Sequence, residues 1–224
     1  MSKKRVLIVG GTGYLGQHLL EAFSNLQTCP YFDLAFTYHS TPPSKLLNAL
    51  PHSLSFPVDL QNGHGFDSIS STFGQPDVIV NCAALSAPRA CEMDPAAAMA
   101  INVPTSLVNW LSSFKENITL LIHLSTDQVY EGTKSFYKEE DETSPVNVYG
   151  KSKVEAEKFV SSNCSNFAIL RSSIIYGPQT ISPWMDGILS KGNKVDFFYD
   201  EFRCPVYVKD VVAVILAVAT KWVT

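Results

Sequence analysis

Near the start of the chain, Arg5-Val-Leu-Ile-Val9 runs without a break into Gly10-Gly-Thr-Gly-Tyr-Leu-Gly16. No other feature restricts the fold as much. Four aliphatic residues bounded by glycine predict a buried strand, and residues 14–25 carry the apolar spacing of a helix. The turn between them satisfies G-x-x-G-x-x-G from Gly10 and G-x-G-x-x-G from Gly11 at once. In such a turn the early glycines permit a tight bend, and Gly13 lets a pyrophosphate approach the backbone. Gly16 lets the helix lie close on the strand. The free N–H groups at the helix start then suit negative phosphates. A glycine spacing alone also fits an ordinary tight turn. Its place between a strand and a helix predicts dinucleotide binding, with Gly10, Thr12, Gly13, Tyr14, Leu15 and Gly16 as contacts.

The alternation continues along the chain. Residues 34–38, 54–58, 77–81 and 119–124 read as strands, and residues 149–161 as a helix followed by a strand at 166–171. Before the fifth strand, Asp94 can cap a helix whose first turn holds Pro95, and Pro104 predicts a break. Nearly continuous apolar strands alternating with helices predict a parallel sheet covered on both faces. The fold class is therefore α/β, a Rossmann doubly wound sheet. After Gly177 the rhythm changes to prolines, aromatics and short irregular segments, with a last helix from about Lys209. The expectation is a nucleotide-binding domain over residues 1–177 and a small, incomplete substrate-binding lobe over residues 178–224.

Composition narrows the partners. With 224 residues, 46% of them hydrophobic, the chain can bury a core without metal or disulfide staples. A net charge of -4 with no dense Lys/Arg cluster argues against nucleic acid and against an anionic membrane. The five cysteines are odd in number and scattered without a C-x-x-C pair, so neither a zinc site nor a disulfide framework is expected. Reduced thiols and a cytoplasmic location follow. The apolar stretch at residues 6–9 is too short for a signal peptide, and that at 211–219 is too short to span a bilayer.

Two segments carry chemistry. Tyr149-Gly-Lys-Ser-Lys153 sets a phenol and an ammonium on one helix face. A nearby cation stabilises phenolate, so the tyrosine is expected to titrate below its usual value. Ser125-Thr-Asp-Gln-Val-Tyr130 follows the fifth strand, where doubly wound sheets hold their ligands. Thr126 can bond a substrate carbonyl oxygen there, beside Tyr149. At the end of the second strand, Thr37-Tyr-His-Ser-Thr41 lacks the acid that binds a ribose 2′-hydroxyl. That favours NADP(H) over NAD(H). His39 and Ser40 either bond the 2′-phosphate or are polar residues of a surface loop. His123 reads as a satisfied core histidine, and Trp184 and the aromatics at 197–199 as packing.

Together these segments resemble the extended short-chain dehydrogenase/reductases, in particular the dTDP-4-dehydrorhamnose reductase group. Val58-Asp-Leu60, Asn81-Cys-Ala-Ala84, the segment at 142–149, Leu170 to Pro178 and Cys204 to Asp210 extend the likeness over almost the whole chain. The resemblance implies an oxidoreductase that reduces a nucleotide-linked 4-keto sugar. Thr126, Tyr149 and Lys153 would be the catalytic trio, with Tyr149 as proton donor; Tyr149 and Lys153 also border the cofactor. It implies adenine contacts from Asp59 and Leu60 and a cofactor groove lined by Ala83 and Ala84. Asn102 falls where an asparagine supports the active-site water and lysine beside the cofactor. Asp127, Arg203 and Tyr207 match positions near the substrate, with helix capping and packing as their alternatives. Arg171 either brackets the nicotinamide or is structural. Relatives continue past Thr224, so the substrate lobe is expected to be truncated. The chain also resembles the regulatory beta subunit of methionine adenosyltransferase, which implies a non-catalytic, NADP-binding role with a protein partner. An epimerase-type member and a homodimer are further implied alternatives.

Overall fold

The computed structural model describes residues 3–25, 32–39, 44–116, 118–178 and 203–224. Strand β1 (Lys4–Val9) leads through the glycine turn into helix α1 (Tyr14–Ser24). Next come β2 (Phe32–Tyr38), α2 (Ser44–Ala49), β3 (Leu54–Pro57), α3 (Phe66–Thr72) and β4 (Val78–Asn81). Helices α4 (Pro88–Met93), α5 (Pro95–Asn102) and α6 (Thr105–Leu111) precede β5 (Leu120–Thr126). A 3-10 turn at Asp127–Val129, α7 (Val148–Asn163), β6 (Phe167–Ser172), β7 (Ile175–Tyr176), β8 (Val206–Tyr207) and α8 (Val208–Val223) complete the described chain.

Six strands form one parallel sheet in the order β3-β2-β1-β4-β5-β6, and β7 pairs separately with β8. The chain runs outward from β1 to β3, returns to β4 beside β1, and runs outward again. The carboxyl ends of β1 and β4 are therefore a topological switch point, where such sheets open a ligand crevice. Side chains alternate along each strand and feed two cores. Val6, Ile8, Leu34, Phe36, Val78, Val80 and Ile122 point to the face covered by α1 and α8. Leu7, Val9, Ala35, Ile79 and Leu121 point to the opposite face, covered by α3, α6 and α7. Val6 to Val9 are all 0% exposed, so a strand buried on both sides needs an unbroken apolar run.

The Asp94 side chain caps α5, accepting a bond from Ala97 N at 2.9 Å, and Pro104 separates α5 from α6. Strand β5 extends to Thr126 because Ser125 and Thr126 pair with Arg171 and Ser172 of β6. Along α8, Val208, Val211, Val212, Ile215 and Ala219 keep helical spacing and are buried. That stripe packs in the same core as Leu15 and Leu19 of α1. The helix expected in the smaller lobe thus lies on the nucleotide-binding sheet. Ser40, Trp184, the aromatics at 197–199 and Cys29 fall outside the described residues. Among the described residues, no helix is long and apolar enough to cross a membrane.

Candidate active site

Parallel strands put all six carboxyl ends on one edge, and most of the expected site residues lie along it. The glycine turn is built by contacts that exclude side chains. Gly10 has φ of +79°, and a Cβ there would stand 2.9 Å from the Ala83 backbone. A Cβ on Gly16 would meet the Gly10 carbonyl oxygen at 2.4 Å. Ala83 thus lies directly against the turn at the switch point, with Ala84 beside it in sequence and half-buried. Thr37 on β2 fixes the turn from the other side. Its Oγ1 accepts from Gly10 N at 3.1 Å and its carbonyl from Gly11 N at 2.9 Å. Helix α1 begins at Gly13 with no side-chain cap and no acid in its first turn. Its N-terminal N–H groups and dipole face an open cradle of bare backbone, which fits a dinucleotide pyrophosphate.

The individual side chains of the turn do different work. Leu15 is buried in the core. The Thr12 carbonyl accepts from Gln17 Nε2 at 2.9 Å. Tyr14 donates to the Pro178 carbonyl at 3.1 Å, which His18 also approaches at 3.3 Å. His39 is exposed just past β2. Asp33 lies at the far edge, paired with Lys3 at 3.4 Å. Both Asp59 oxygens are used locally, by Gln61 N at 2.9 Å and Asn62 Nδ2 at 2.8 Å. The carbonyl of Leu60 accepts from Ser106 Oγ at 2.5 Å.

The trio meets across β5 and α7. Thr126, 4% exposed, ends β5, and its side-chain oxygen accepts from Gln128 N at 3.3 Å, so threonine rather than Asp127 caps the 3-10 turn. Asp127 is half-buried, its Oδ1 3.3 Å from Thr126 Oγ1. Helix α7 starts where the Asn147 side chain accepts from Gly150 N at 2.7 Å and Glu92 accepts from Val148 N at 2.8 Å. That places Tyr149 in the first turn and Lys153 one turn on. Burial pushes the Tyr149 phenol up to about 12, with Cys91 and Asp127 adding to the rise; the Thr126 hydroxyl acts in the opposite sense. The fall expected from the neighbouring ammonium therefore does not occur. Lys153, 2% exposed, instead brings its Nζ to 3.3 Å from His123 Nε2. Burial draws the ammonium down to about 8, with Cys82 and Glu157 opposing the fall.

Asn102 holds α7 in place from behind. Its Oδ1 accepts from Leu85 N at 2.7 Å, and its Nδ2 reaches Leu85 O at 3.2 Å and Ser152 Oγ at 2.8 Å. Its partners are thus the loop after β4 and the residue before Lys153. Arg171 grips Glu157 with Nη2 at 2.6 Å and Nε at 3.0 Å, and Ser125 donates to the same carboxylate. Its Nη1 also reaches Tyr130 Oη at 2.5 Å and the Glu139 carbonyl at 3.0 Å. This arginine ties β6 to α7 and to the loop after β5, which is its structural alternative. Tyr207 lies with its ring tilted against Tyr176, and Arg203 is exposed near the start of the last described segment. His123 is the buried, bonded core histidine that was expected. Thr37, Asn81 and Asn147 lie within segments already singled out but with supporting bonds the motifs do not announce, and Glu92 is not announced at all. A capping asparagine two residues before Tyr149 was the one signal within reach of sequence.

A family model described as the RmlD substrate binding domain matches residues 4–224. Methionine adenosyltransferase 2 subunit beta from Mus musculus is 31% identical over 224 residues, covering 97% of this chain and 63% of that protein. The chain thus spans less than two thirds of the length of this relative. A dTDP-4-dehydrorhamnose reductase from Salmonella typhimurium is 33% identical over 172 residues, 76% of this chain and 51% of that protein. In fold, the chain is similar to a Bacillus anthracis dTDP-4-dehydrorhamnose reductase solved in complex with NADP. The TM-score is 0.73 at 22% identity, covering 98% of this chain and 72% of the other.

Proposed function

The chain belongs to the RmlD substrate-binding domain family, and we propose that it is an NADP(H)-dependent reductase of a nucleotide-linked 4-keto sugar. The observation that carries this reading is the grouping of Thr126 at the end of β5 with Tyr149 in the first turn of α7 at the carboxyl edge of the sheet, and the buried Lys153 one turn further along α7. When bound, NADPH supplies a hydride. The backbone from Gly10 to Gly16 holds its pyrophosphate at the start of α1. Asp59 and Leu60 border the adenine, and Ala83 and Ala84 line the groove. His39 and Ser40 take the 2′-phosphate, which a carboxylate at residues 37–41 would repel and none is present there.

Chemistry then falls to the trio. Thr126 Oγ1 holds the ketone oxygen, and Tyr149 Oη gives it a proton as the carbinol forms. A phenol lifted to about 12 arrives fully protonated at neutral pH, the state that the reducing direction requires. Lys153 stabilises the phenolate that remains and orients the cofactor ribose. Asp127, in the turn after β5, and Arg203 and Tyr207, from the segment beyond residue 178, contact the sugar nucleotide. The test is NADPH oxidation in the presence of a dTDP-4-keto-6-deoxy sugar, with NADH as comparator. Sugar-dependent oxidation that prefers NADPH supports the proposal; sugar-independent or absent turnover overturns it.

A second reading is favoured by the similarity to the beta subunits over nearly the whole chain. It makes the protein an NADP-binding regulatory partner of a methionine adenosyltransferase. Stable copurification with that enzyme's catalytic subunit, with NADPH bound but never oxidised, would select this reading.

A further inference from the structure

Behind the trio runs a buried hydrogen-bond chain with an assignable direction. Ala83 N donates to Asn81 Oδ1 at 3.2 Å, which fixes the orientation of that amide. Asn81 Nδ2 therefore faces His123 Nδ1, at 3.1 Å. An amide nitrogen can only donate, so Nδ1 must accept, and the neutral ring carries its proton on Nε2. That Nε2–H faces Lys153 Nζ at 3.3 Å. An ammonium has three donors and no acceptor, so two donors would oppose one another; the free amine can accept the bond. Asn81 and His123 are 3% and 0% exposed, so no bulk water relieves the conflict.

We propose that His123 is a positioning residue for Lys153, offering it an Nε2–H held in that tautomer by Asn81, so that the sheet behind the site sets the charge on the lysine. This rests on the reading of Lys153 as part of the reaction centre. The groups facing Lys153 are His123 from β5, Cys82 after β4 and Glu157 from its own helix. Burial, and then the charge of Lys153, hold the imidazole well below its ordinary range, so it stays neutral. Burial pushes the Cys82 thiol up to about 12, against the pull of Lys153. The lysine is therefore the member of the cluster that exchanges its proton near neutrality. A protonated Lys153 requires the opposite histidine tautomer, which requires Asn81 to turn and give up its bond to Ala83. Lysine charge, histidine tautomer and the wall of the cofactor groove are one coupled unit.

The test is NMR on the full chain labelled with 15N-histidine and 13C-lysine. In the wild type, Lys153 is expected to titrate at about 8, with His123 neutral throughout and carrying its proton on Nε2 once the lysine has lost its own. In His123→Gln the amide oxygen accepts from the ammonium, and the Lys153 midpoint should rise by about one pH unit, a tenfold change in proton affinity. Asn81→Asp should force the Nδ1–H tautomer and move the midpoint the same way; the charge-neutral glutamine variant separates this from the added carboxylate. An Nδ1–H tautomer that persists in the wild type above the Lys153 midpoint would overturn the proposal, and so would an unmoved midpoint in folded His123→Gln. If neither variant folds, the wild-type tautomer decides. Absent turnover with every keto sugar would defeat the reductase reading while leaving these observables intact. An active enzyme that keeps Nδ1–H above the Lys153 midpoint would defeat this inference alone.

Discussion

Two glycines of the nucleotide turn should respond to alanine in opposite ways, because their neighbours differ. A Cβ on Gly16 would sit 2.4 Å from Gly10 O and 2.8 Å from Gly11 Cα. Both are backbone atoms, so α1 has to move off β1. Overpacking of this kind costs about 1–3 kcal/mol, and in a domain of this size each kcal/mol lowers Tm by roughly 2–4 °C. On Gly13 the nearest contact is 3.3 Å, from Gly10 O, and its φ of -72° suits any residue. Gly13→Ala should therefore keep the unfolding free energy within about 0.5 kcal/mol of the wild type. Its methyl group nonetheless projects where a pyrophosphate would approach the backbone. We expect it to weaken NADPH binding at least tenfold, about 1.4 kcal/mol. Thermal unfolding by circular dichroism, with and without NADPH, reads both effects, since a ligand of the native state raises Tm further the more tightly it binds. Gly16→Ala should unfold earlier without ligand; Gly13→Ala should unfold normally but lose the NADPH shift. Wild-type NADPH affinity in Gly13→Ala would refute the placement of the phosphates at α1.

Asn102→Ala should lower stability by about 2–3 kcal/mol in denaturant titration, because Leu85 N–H, Leu85 O and Ser152 Oγ all lose a buried partner; a change below about 0.5 kcal/mol would contradict that role. The Lys153 charge is penalised by burial, so between about 8 and 10.5 the unfolded chain binds more protons than the folded one. The folded pKa is the lower of the two, so this group makes stability rise with pH through that window, by at most about 3 kcal/mol. Lys153→Met should remove that rise and be more stable than the wild type at pH 7, measured as the difference between the two unfolding curves. The reverse order at pH 7 would contradict it. Arg171→Leu should destabilise the fold by about 3 kcal/mol by leaving Glu157 buried without its cation, and unchanged stability in urea would refute the tie between β6 and α7.

The central strands were legible because they are buried on both sides, and an unbroken aliphatic run such as Val6 to Val9 has few other uses. The glycine turn and the break at Pro104 were legible because they depend on local backbone rules. Helices α2, α3 and α4 are six or seven residues long, too short to show a period of 3.6. What the sequence hides is decided by contacts far apart in the chain. The lysine was expected to lower Tyr149, yet its nitrogen lies against His123, 30 residues away in sequence, and burial governs the phenol. Arg171 offered two readings until Glu157 and Tyr130 were seen to occupy it. The helix at Val208–Val223 looks from its position like part of a second lobe, and its apolar stripe nevertheless completes the core against α1.

The central claim is that Tyr149 delivers a proton to a sugar ketone while NADPH is oxidised in the crevice beside it. Single-turnover mixing of NADPH-loaded protein with a dTDP-4-keto-6-deoxy sugar tests it most directly, in the wild type and in Tyr149→Phe. The account predicts loss of nicotinamide absorbance in the wild type and a rate lower by about 10²–10⁴-fold in the variant, with NADPH binding unchanged in both. Equal rates in the two proteins, or saturating NADPH that no keto sugar oxidises, would contradict it.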